Sequence, residues 1–471
     1  MTRAQTLCVY GLLAAALVAC GASLAPVWQL SLSSQYNHLL QGADEHNLYV
    51  LRYDDNTPTL YQLTRDGGEP VITPLSLAST EILGRLGQQV WVADDDYVDY
   101  TARDLLRAQA LDLDTLQVTP ALPDALRSGF SGLRGYLEQT ESVVTGVNGS
   151  LAISGQAIPL GGNTELPFIA IVHADGRSHH SLLEGDILYH ALEPLPRSPM
   201  FALHILYSED HFNRTGFYNR VVFYDAELTP LQTVDLPQRL YSVVALPDRL
   251  YAPTHDEPHY LEIHTDGRVS PSERKGQLWS WNDHTQFLFH EDFFYALEVG
   301  EQGRMLCRFD YQLQNLGCFT PRDRHWTAQA QMLEDGTLVT AEQHRSIVLN
   351  GVTLSLDPAN ASLLSDLDGW GYEQQQMFYR FYSPQGDLLN EIAAPPFRAH
   401  GKLISCHSNP DGYCVWEPVS ETTGTCSTNT ILPYSQHELL ASETLCQPGE
   451  HRAALTLWNN SATPSQARMR P

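Results

Sequence analysis

The feature of this sequence that most constrains its fold is a short turn-centred unit that recurs along most of the chain. Each copy has a few strand-forming residues, a polar turn and a second strand-forming stretch, often with a nearby Pro. The clearest copies begin at Leu60, Ala110, Ile171, Phe223, Ile263, Phe309 and Phe381. Successive turns are about 41 to 61 residues apart, and a last interval of about 73 has room for one more unit at Asn350-Gly351. Such spacing indicates one module repeated in series.

Strand-forming segments and turn dipeptides alternate between and within these units. Residues 47–53, 168–172, 220–224 and 376–382 are rich in β-branched and aromatic side chains, which favour strands. Asn-Gly and Asp-Gly pairs supply the positive φ that two-residue hairpin turns need. They occur at Asp66-Gly67, Asn148-Gly149, Asp175-Gly176, Asp266-Gly267, Asp335-Gly336, Asn350-Gly351, Asp368-Gly369 and Asp411-Gly412. Helical periodicity is scarce, and its clearest candidate is the short stretch Thr101 to Ala108.

The repeat predicts an all-β fold, a β-propeller of seven or eight blades over residues 35–460. A single blade cannot bury both of its faces, whereas blades stacked around an axis can. Two tandem β-sandwiches are the alternative, because a sandwich needs no fixed period and the spacing is irregular. Residues 461–471 are polar and small, which predicts a flexible C-terminal tail.

The N-terminus has the pattern of an export signal. Arg3 precedes an apolar run from Leu7 to Ala19, which is shorter than the roughly 20 residues of a transmembrane helix. The run ends in Leu17-Val-Ala-Cys20, which resembles the lipobox of bacterial lipoproteins. An ordinary secretory signal with a chance cysteine is the alternative.

The lipobox resemblance implies how the chain meets a membrane. In that family the signal, here residues 1–19, is removed, and the cysteine, here Cys20, carries a diacylglyceryl group and an acylated amine. Several acyl chains give nearly permanent anchoring. Residues 20–34 would then form a tether, and the membrane would be the first partner. Gly21 stands where family members retained in the inner membrane have Asp, which implies the outer membrane, at its periplasmic face or at the cell surface.

The cysteine content agrees with export. Beyond Cys8 and Cys20, six cysteines remain: Cys307, Cys318, Cys406, Cys414, Cys426 and Cys446. An even number in an exported chain predicts disulfides. Fifteen pairings are possible, and the most local choice joins Cys307 to Cys318, Cys406 to Cys414, and Cys426 to Cys446. No C-x-x-C or His-Cys cluster has zinc spacing, so neither a metal nor a cofactor is predicted.

Charge narrows the possible partners. The formal net charge is −27, from 55 acidic and 28 basic residues. A chain this acidic repels the phosphate backbone, which excludes nucleic acid as a partner.

Three clusters are candidates for binding. Trp279, Trp281, Asp283 and His284, with Arg324, His325 and Trp326, combine groups that stack on sugar rings or receive a protein partner. The alternative is aromatic packing between blades. Asp94-Asp95-Asp96 with Asp99, and Asp366-Leu-Asp368-Gly369, offer hard oxygen ligands for calcium. Neither has the ligand pattern of an EF-hand, which favours a solvated acidic loop and a plain turn. His179-His180 is interpreted as a surface pair.

Common catalytic signatures are missing from the sequence. It has no G-x-S-x-G, no H-E-x-x-H, no P-loop and no G-x-G-x-x-G. We therefore expect a non-enzymatic binding or scaffold protein whose partner is an unknown envelope protein or polymer. A second hypothesis is an envelope hydrolase or lyase acting on a glycan or ester, with catalytic residues converging on a central channel. A third is a calcium-stabilised structural module.

The repeat also resembles β-propeller families. One family of outer-membrane lipoprotein propellers, which takes part in inserting barrel proteins, repeats A-x-D-x-x-T-G-x-x-x-W, as do quinoprotein dehydrogenases. Here Ala110-Leu-Asp-Leu-Asp-Thr115 matches the start of that motif, Leu116 occupies the Gly position and no Trp follows. The resemblance implies an envelope partner and transfers no functional residue to this chain.

Overall fold

The structure is a computed structural model that describes most of the chain. The described residues are 28–31, 38–43, 47–54, 57–64, 71–74, 81–95, 103–129, 133–137, 143–145, 149–159, 166–210, 215–240, 243–254, 259–274, 278–279, 287–300, 303–319, 327–349, 352–355, 369–407, 413–448 and 450–459. The predicted signal peptide, Cys20 and the predicted tail 461–471 lie outside them. The predicted tether, 20–34, contains one described strand, Trp28–Ser31.

The chain divides into two compact units. One consists of residues 41–319, and the other of residues 1–40 together with 320–471. We call them the central unit and the terminal unit. Both are built from antiparallel sheets, and the short helix α1 (Asp124–Gly129) lies in the central unit. No helix in the described ranges has the length and apolar character needed to span a bilayer.

Five sheets follow one another along residues 38–319. Sheet I has β1 (His38–Ala43), β2 (Asn47–Asp54), β3 (Thr57–Thr64) and β4 (Val71–Pro74). Sheet II has β5 (Glu81–Leu86), β6 (Gln89–Asp95), β7 (Arg103–Asp112), β8 (Val118–Pro120), β9 (Leu133–Leu137), β10 (Val143–Thr145), β11 (Leu151–Pro159), β12 (Leu166–Val172) and β13 (Ser178–Leu182). Sheet III has β14 (Ile187–Pro194), β15 (Phe201–Asp210), β16 (Thr215–Tyr224) and β17 (Pro230–Leu236).

Two smaller sheets complete this series. Sheet IV has β18 (Val244–Ala245), β19 (Arg249–Pro253), β20 (Tyr260–His264) and β21 (Val269–Pro271). Sheet V has β22 (Leu278–Trp279), β23 (Leu288–Phe289), β24 (Phe293–Gly300), β25 (Gly303–Asp310) and β26 (Asn315–Phe319).

The terminal unit has two sheets. Sheet VI has β27 (Thr327–Met332), β28 (Leu338–Leu349), β29 (Val352–Ser355), β30 (Gly369–Tyr382), β31 (Leu388–Ala393), β32 (Phe397–His407) and β33 (Tyr413–Thr422). Sheet VII pairs β34 (Trp28–Ser31), the first described strand, with the last strand of the chain. Its other members are β35 (Gly424–Ser435), β36 (Glu438–Gln447) and β37 (Glu450–Asn459).

Neighbouring sheets pack face to face through apolar cores. One core joins Ile169 and Ile171 of sheet II to Leu203 of sheet III, and the next sheets along the central unit are joined in the same way. In the terminal unit, Tyr379 of sheet VI and Trp458 of sheet VII share a core. Stacking of successive four-stranded meanders is the packing of propeller blades. The prediction of an all-β fold built from propeller-type sheets is confirmed.

The predicted count of seven or eight blades is wrong, because the described part of the chain forms six blades. Six sheets are each formed by one continuous segment, and sheet VII joins the first described strand to the last three. Sheet sizes range from four to nine strands. Sheet II is enlarged because β9 pairs with β7, and sheet VI because the 14-residue β30 extends far enough to pair with β32.

The predicted strands at 47–53, 168–172, 220–224 and 376–382 are confirmed. The helical candidate at 101–108 is wrong, because residues 103–112 form β7. Leu105, Ala108 and Ala110 are buried in the core of sheet II. Pairing with the flanking strands and burial in this core outweigh a short helical pattern.

The repeated sequence unit is a hairpin between two consecutive strands of one sheet, and in sheets I, III, IV and V these are the last two strands. In residues 173–177, the amide of His173 donates to Arg177 O at 2.8 Å, and Gly176 has φ +84. The loop therefore spans three residues rather than the two predicted. Residues 264–268 repeat this loop, with Gly267 at φ +87.

A second form of the hairpin uses Asp and Leu instead of Asp-Gly. Asp225 Oδ1 accepts the amides of Glu227 at 3.0 Å and Thr229 at 2.8 Å. Leucines with a positive φ occupy this turn in three hairpins: Leu116 (57), Leu228 (57) and Leu313 (64). Leu116 thus adopts the left-handed conformation that the Gly of the resembled motif would favour. Each of these leucines packs on an apolar core cluster.

Candidate binding groove beside a disulfide

A groove in the terminal unit is the candidate site. Its volume is about 590 Å³, and strands of sheets VI and VII supply its walls. The lining residues are mostly polar: Gln375, Phe397, Glu421, Cys426, Ser427, Thr444, Cys446, Gln447 and His451.

Gly424 allows the two sheets to approach at one end of the groove. A Cβ at this position would lie 2.2 Å from Phe397 N and 2.3 Å from Pro396 C, which real side chains do not tolerate. Beside it, the amide of Thr425 donates to Pro395 O at 2.9 Å. The absence of a side chain at Gly424 therefore places Phe397 in the groove wall.

A β-bulge positions the first sulfur. Thr425 pairs with Leu445 and Ser427 with Thr444, so Cys426 is the extra residue of β35. Its side chain reaches Cys446, and the two form a disulfide with Cα atoms 5.8 Å apart. Both cysteines are buried, at 8% and 4% exposure.

His451 brings an imidazole to the same place. It pairs with Cys446 in the register of β36 and β37. Its Nδ1 lies 3.4 Å from Cys446 Sγ, and the side chain is exposed. Two sulfurs and one imidazole nitrogen therefore line the groove within 4.8 Å of one another. Elsewhere among the described residues, no group of three His, Cys, Asp or Glu side chains has donor atoms this close.

Amide hydrogen bonds hold one side of the groove. Gln343 Nε2 donates to Cys426 O at 2.7 Å, which ties sheet VI to the bulge. Gln375 Nε2 donates to Glu373 Oε1 at 3.2 Å, and Arg345 Nε donates to the same oxygen at 3.0 Å. Because Glu373 receives both, Gln375 is fixed with its amide at the groove.

This composition suits recognition of a neutral polar ligand. Gln375, Gln447, Ser427 and Thr444 offer both donors and acceptors, as amides and hydroxyls do. Phe397 adds one apolar face for stacking. The imidazole of His451 contacts Cys446 Sγ. This sulfur belongs to a disulfide, so it cannot act as a nucleophile in acyl transfer.

The sequence predicted one part of the candidate site, the Cys426–Cys446 disulfide. Cys307–Cys318 and Cys426–Cys446 are confirmed. Cys406 and Cys414 lie opposite each other in register between β32 and β33, and their side chains are outside the description. Sequence reasoning missed the groove and His451. The short spacing between Cys446 and His451, across one tight hairpin, was the available signal.

The predicted ligand surface remains a prediction. Trp279 ends β22, where its backbone pairs with Leu297, and its side chain is outside the description. Trp281, Asp283, His284, Arg324, His325 and Trp326 also lie outside the described residues.

The calcium sites also remain predictions, whereas the predicted surface pair His179-His180 lies within the described residues. Asp94 and Asp95 end β6, whereas Asp96, Asp99, Asp366 and Asp368 are outside the description. His179 and His180 lie on β13. His180 is exposed, and the ring of His179 is 6.0 Å from that of His173.

Comparison with known proteins gives distant fold likenesses. No family model matches the chain, and no curated protein does. Among solved structures, BamB from Moraxella catarrhalis is 9% identical, with a TM-score of 0.36 over 93% of this chain and 99% of that one.

Two peptidase structures are similarly distant. The β-propeller domain of the Trilobed protease from Pyrococcus furiosus is 11% identical, with a TM-score of 0.38 over 65% of this chain and 91% of that domain. A prolyl endopeptidase is 11% identical, with a TM-score of 0.42 over 75% of this chain and 54% of its own. None of these likenesses assigns a ligand or an activity to the chain.

Proposed function

We propose that the protein is a lipid-anchored binding protein of the bacterial cell envelope, and that the groove of the terminal unit receives a polar segment of a partner protein or polymer. The groove carries this proposal, because it is concave and lined by amides and hydroxyls with one aromatic face. The lipobox ending at Cys20 supports anchoring, and Gly21 after it supports the outer membrane as the location.

The lining favours an extended, uncharged or basic segment. Hydroxyl and amide groups pair equally well with peptide bonds and with sugar hydroxyls. The single carboxylate of the lining, Glu421, and the net charge of −27 disfavour an anionic ligand. Strands of sheets VI and VII supply the whole lining, which gives the groove rigid walls.

The anchor is tested by the mass of the mature N-terminal peptide from membrane-extracted protein. We expect an acylated peptide that begins at Cys20, and its loss in a Cys20→Ala variant that no longer sediments with membranes. An unmodified N-terminus in the wild-type protein would contradict the proposed lipid anchor.

The groove is tested by site-specific photo-crosslinking in cells. A photoreactive residue at Ser427 lies in the groove, whereas one at His437 lies on an exposed turn of the same unit. We expect one discrete adduct from position 427, none from 437, and loss of the adduct when Thr444→Arg fills the groove. Equal adducts at both positions, or persistence with Thr444→Arg, would contradict binding in the groove.

A further inference from the structure

We propose that the Cys426–Cys446 disulfide, once reduced by a dithiol, forms with His451 a binding site for a thiophilic d¹⁰ cation, with Zn²⁺ as its representative. This inference does not depend on what the groove binds or on the lipid anchor. It rests on the position of three donor atoms and on their access from the groove.

The donor set is already close to the geometry of a metal site. The two sulfurs and His451 Nδ1 lie within 4.8 Å of one another. Zinc bonds to sulfur are about 2.3 Å and to imidazole about 2.0–2.1 Å, so donors on one tetrahedral ion are about 3.3–3.8 Å apart. The 3.4 Å from His451 Nδ1 to Cys446 Sγ falls in that range. The sulfurs must separate once their bond is broken, and Cα atoms 5.8 Å apart leave room for rotation of both side chains.

Reduction is a balanced thiol–disulfide exchange. A thiolate of the dithiol attacks Cys426 Sγ, the protein S–S bond breaks, and Cys446 leaves as a thiolate that takes up from solvent the proton that the attacking thiol had released. The second thiol of the reductant then displaces Cys426 from the mixed disulfide. The protein gains two thiols, the dithiol becomes a disulfide, and two electrons are transferred.

Metal binding follows from the chemistry of the reduced groups. Two thiolates and a neutral imidazole are ligands that Zn²⁺ and Cu⁺ prefer, and two protons leave as the thiols bind the ion. Two thiolates also neutralise the charge of Zn²⁺, which suits their burial. Three protein ligands leave the fourth position facing the groove, as in zinc sites that accept an outside ligand. Glu421 in the same groove lining is a candidate to occupy it.

The second described disulfide is a matched comparison. Cys307 and Cys318 are directly opposite in register in sheet V, where Cys307 is fully buried and Cys318 is half-buried. Neither belongs to a cluster of three metal-donor side chains among the described residues. Because it has no third donor nearby, this disulfide should form no Zn²⁺ site when it is reduced.

The experiment uses the mature protein, treated anaerobically with dithiothreitol and desalted. Alkylation and peptide mass mapping identify the reduced cysteines, and Zn²⁺ is titrated against a chromogenic chelator. We expect one Zn²⁺ to bind per chain in which Cys426 and Cys446 are reduced, and none where only Cys307 and Cys318 are reduced. The oxidised protein and a Cys426→Ser/Cys446→Ser variant should not bind it at this site. His451→Ala should weaken binding at least tenfold, whereas His437→Ala should not change it.

A second readout separates a specific site from nonspecific thiol binding. Zn²⁺ should slow alkylation of Cys426 and Cys446 and leave the other cysteines unaffected, while circular dichroism shows a folded chain. The proposal is overturned if Cys426 and Cys446 are reduced and the chain binds no Zn²⁺. It is also overturned if the His451→Ala variant binds Zn²⁺ as strongly as the wild type, or if reduction of this disulfide unfolds the protein.

Discussion

His204 Nε2 lies 2.7 Å from Asn219 Oδ1 inside sheet III, and both side chains are buried. Asn219 Nδ2 donates to Gln238 O at 2.6 Å, which fixes the amide so that Oδ1 faces the ring. Nε2 of His204 is therefore the protonated nitrogen of a neutral imidazole. Burial lowers the pKa of His204 below its usual 6.5, and the hydrogen bond to Asn219 opposes this only in part.

The first prediction is that this histidine makes the protein less stable in mild acid. A pKa lowered in the folded state means that the unfolded chain takes up the proton first, so stability is lost as the pH falls below about 6.5. A His204→Gln variant, which cannot titrate, should lose less free energy of unfolding between pH 7.5 and 5.5 than the wild type does.

Urea denaturation at several pH values measures this difference. His437→Gln, at an exposed turn, is the control and should follow the wild type. Parallel curves for His204→Gln and the wild type would show that His204 titrates as it does in the unfolded chain.

The second prediction concerns a carboxyl group with the opposite pH response. Glu443 is fully buried in the terminal unit, where Tyr379 Oη and Trp458 Nε1 donate to its Oε1. Burial raises the pKa of Glu443 to about 7. The folded chain then holds a proton that the unfolded chain has lost, so stability falls as the pH rises from about 4.5 through 7.

Glu443→Gln should remove this pH dependence. The shift corresponds to a loss on the order of 3 kcal/mol above pH 7, and the neutral amide should recover much of it while still accepting a hydrogen bond. Melting temperatures at pH 5 and pH 8 measure the effect, with exposed Glu450→Gln as the control. A wild-type protein equally stable at both pH values, with Glu443→Gln unchanged, would show that Glu443 is ionised in the fold.

The buried groups His204 and Glu443 could not be predicted from the sequence. The all-β class was predictable because turn residues such as Asp175-Gly176 act locally, and a local rule can be read without a structure. The His204–Asn219 pair and the Glu443 network arise only when strands far apart in sequence pair and stack. The groove depends in the same way on a bulge at Cys426, whose single extra residue leaves no trace in composition or periodicity.

The third prediction tests a hydrogen bond between successive sheets. Ser154 Oγ accepts the amide of Leu192 at 2.7 Å, and Ser154 is fully buried in β11. Ser154→Ala keeps the volume nearly constant but leaves a buried amide without this acceptor, which costs about 1–3 kcal/mol. Guanidinium denaturation should show this loss, and Ser181→Ala, where the hydroxyl is exposed to solvent, should show little. Equal stability of Ser154→Ala and the wild type would mean that another acceptor, such as a water, replaces the serine.

The last prediction separates backbone conformation from packing in the Asp–Leu hairpin. Leu313 has φ 64 and is only 3% exposed in the core shared by sheets IV and V. A left-handed conformation costs an L-residue about 1–2 kcal/mol, whereas burial of a leucine contributes about 2–5 kcal/mol relative to Ala. Packing therefore outweighs the backbone cost, and Leu313→Gly should destabilise the protein even though glycine suits this φ.

The order of three variants tests that balance. Leu313→Ala loses the same packing but keeps the free-energy cost of the left-handed conformation. Leu313→Gly should therefore be as stable as Leu313→Ala or more stable, by up to about 1 kcal/mol. Leu228→Gly, at the corresponding turn but only half-buried, should cost less than Leu313→Gly. Equilibrium unfolding of the three variants decides this order. If Leu313→Ala proves clearly more stable than Leu313→Gly, the turn does not hold a left-handed residue, and the leucine is retained for its side chain alone.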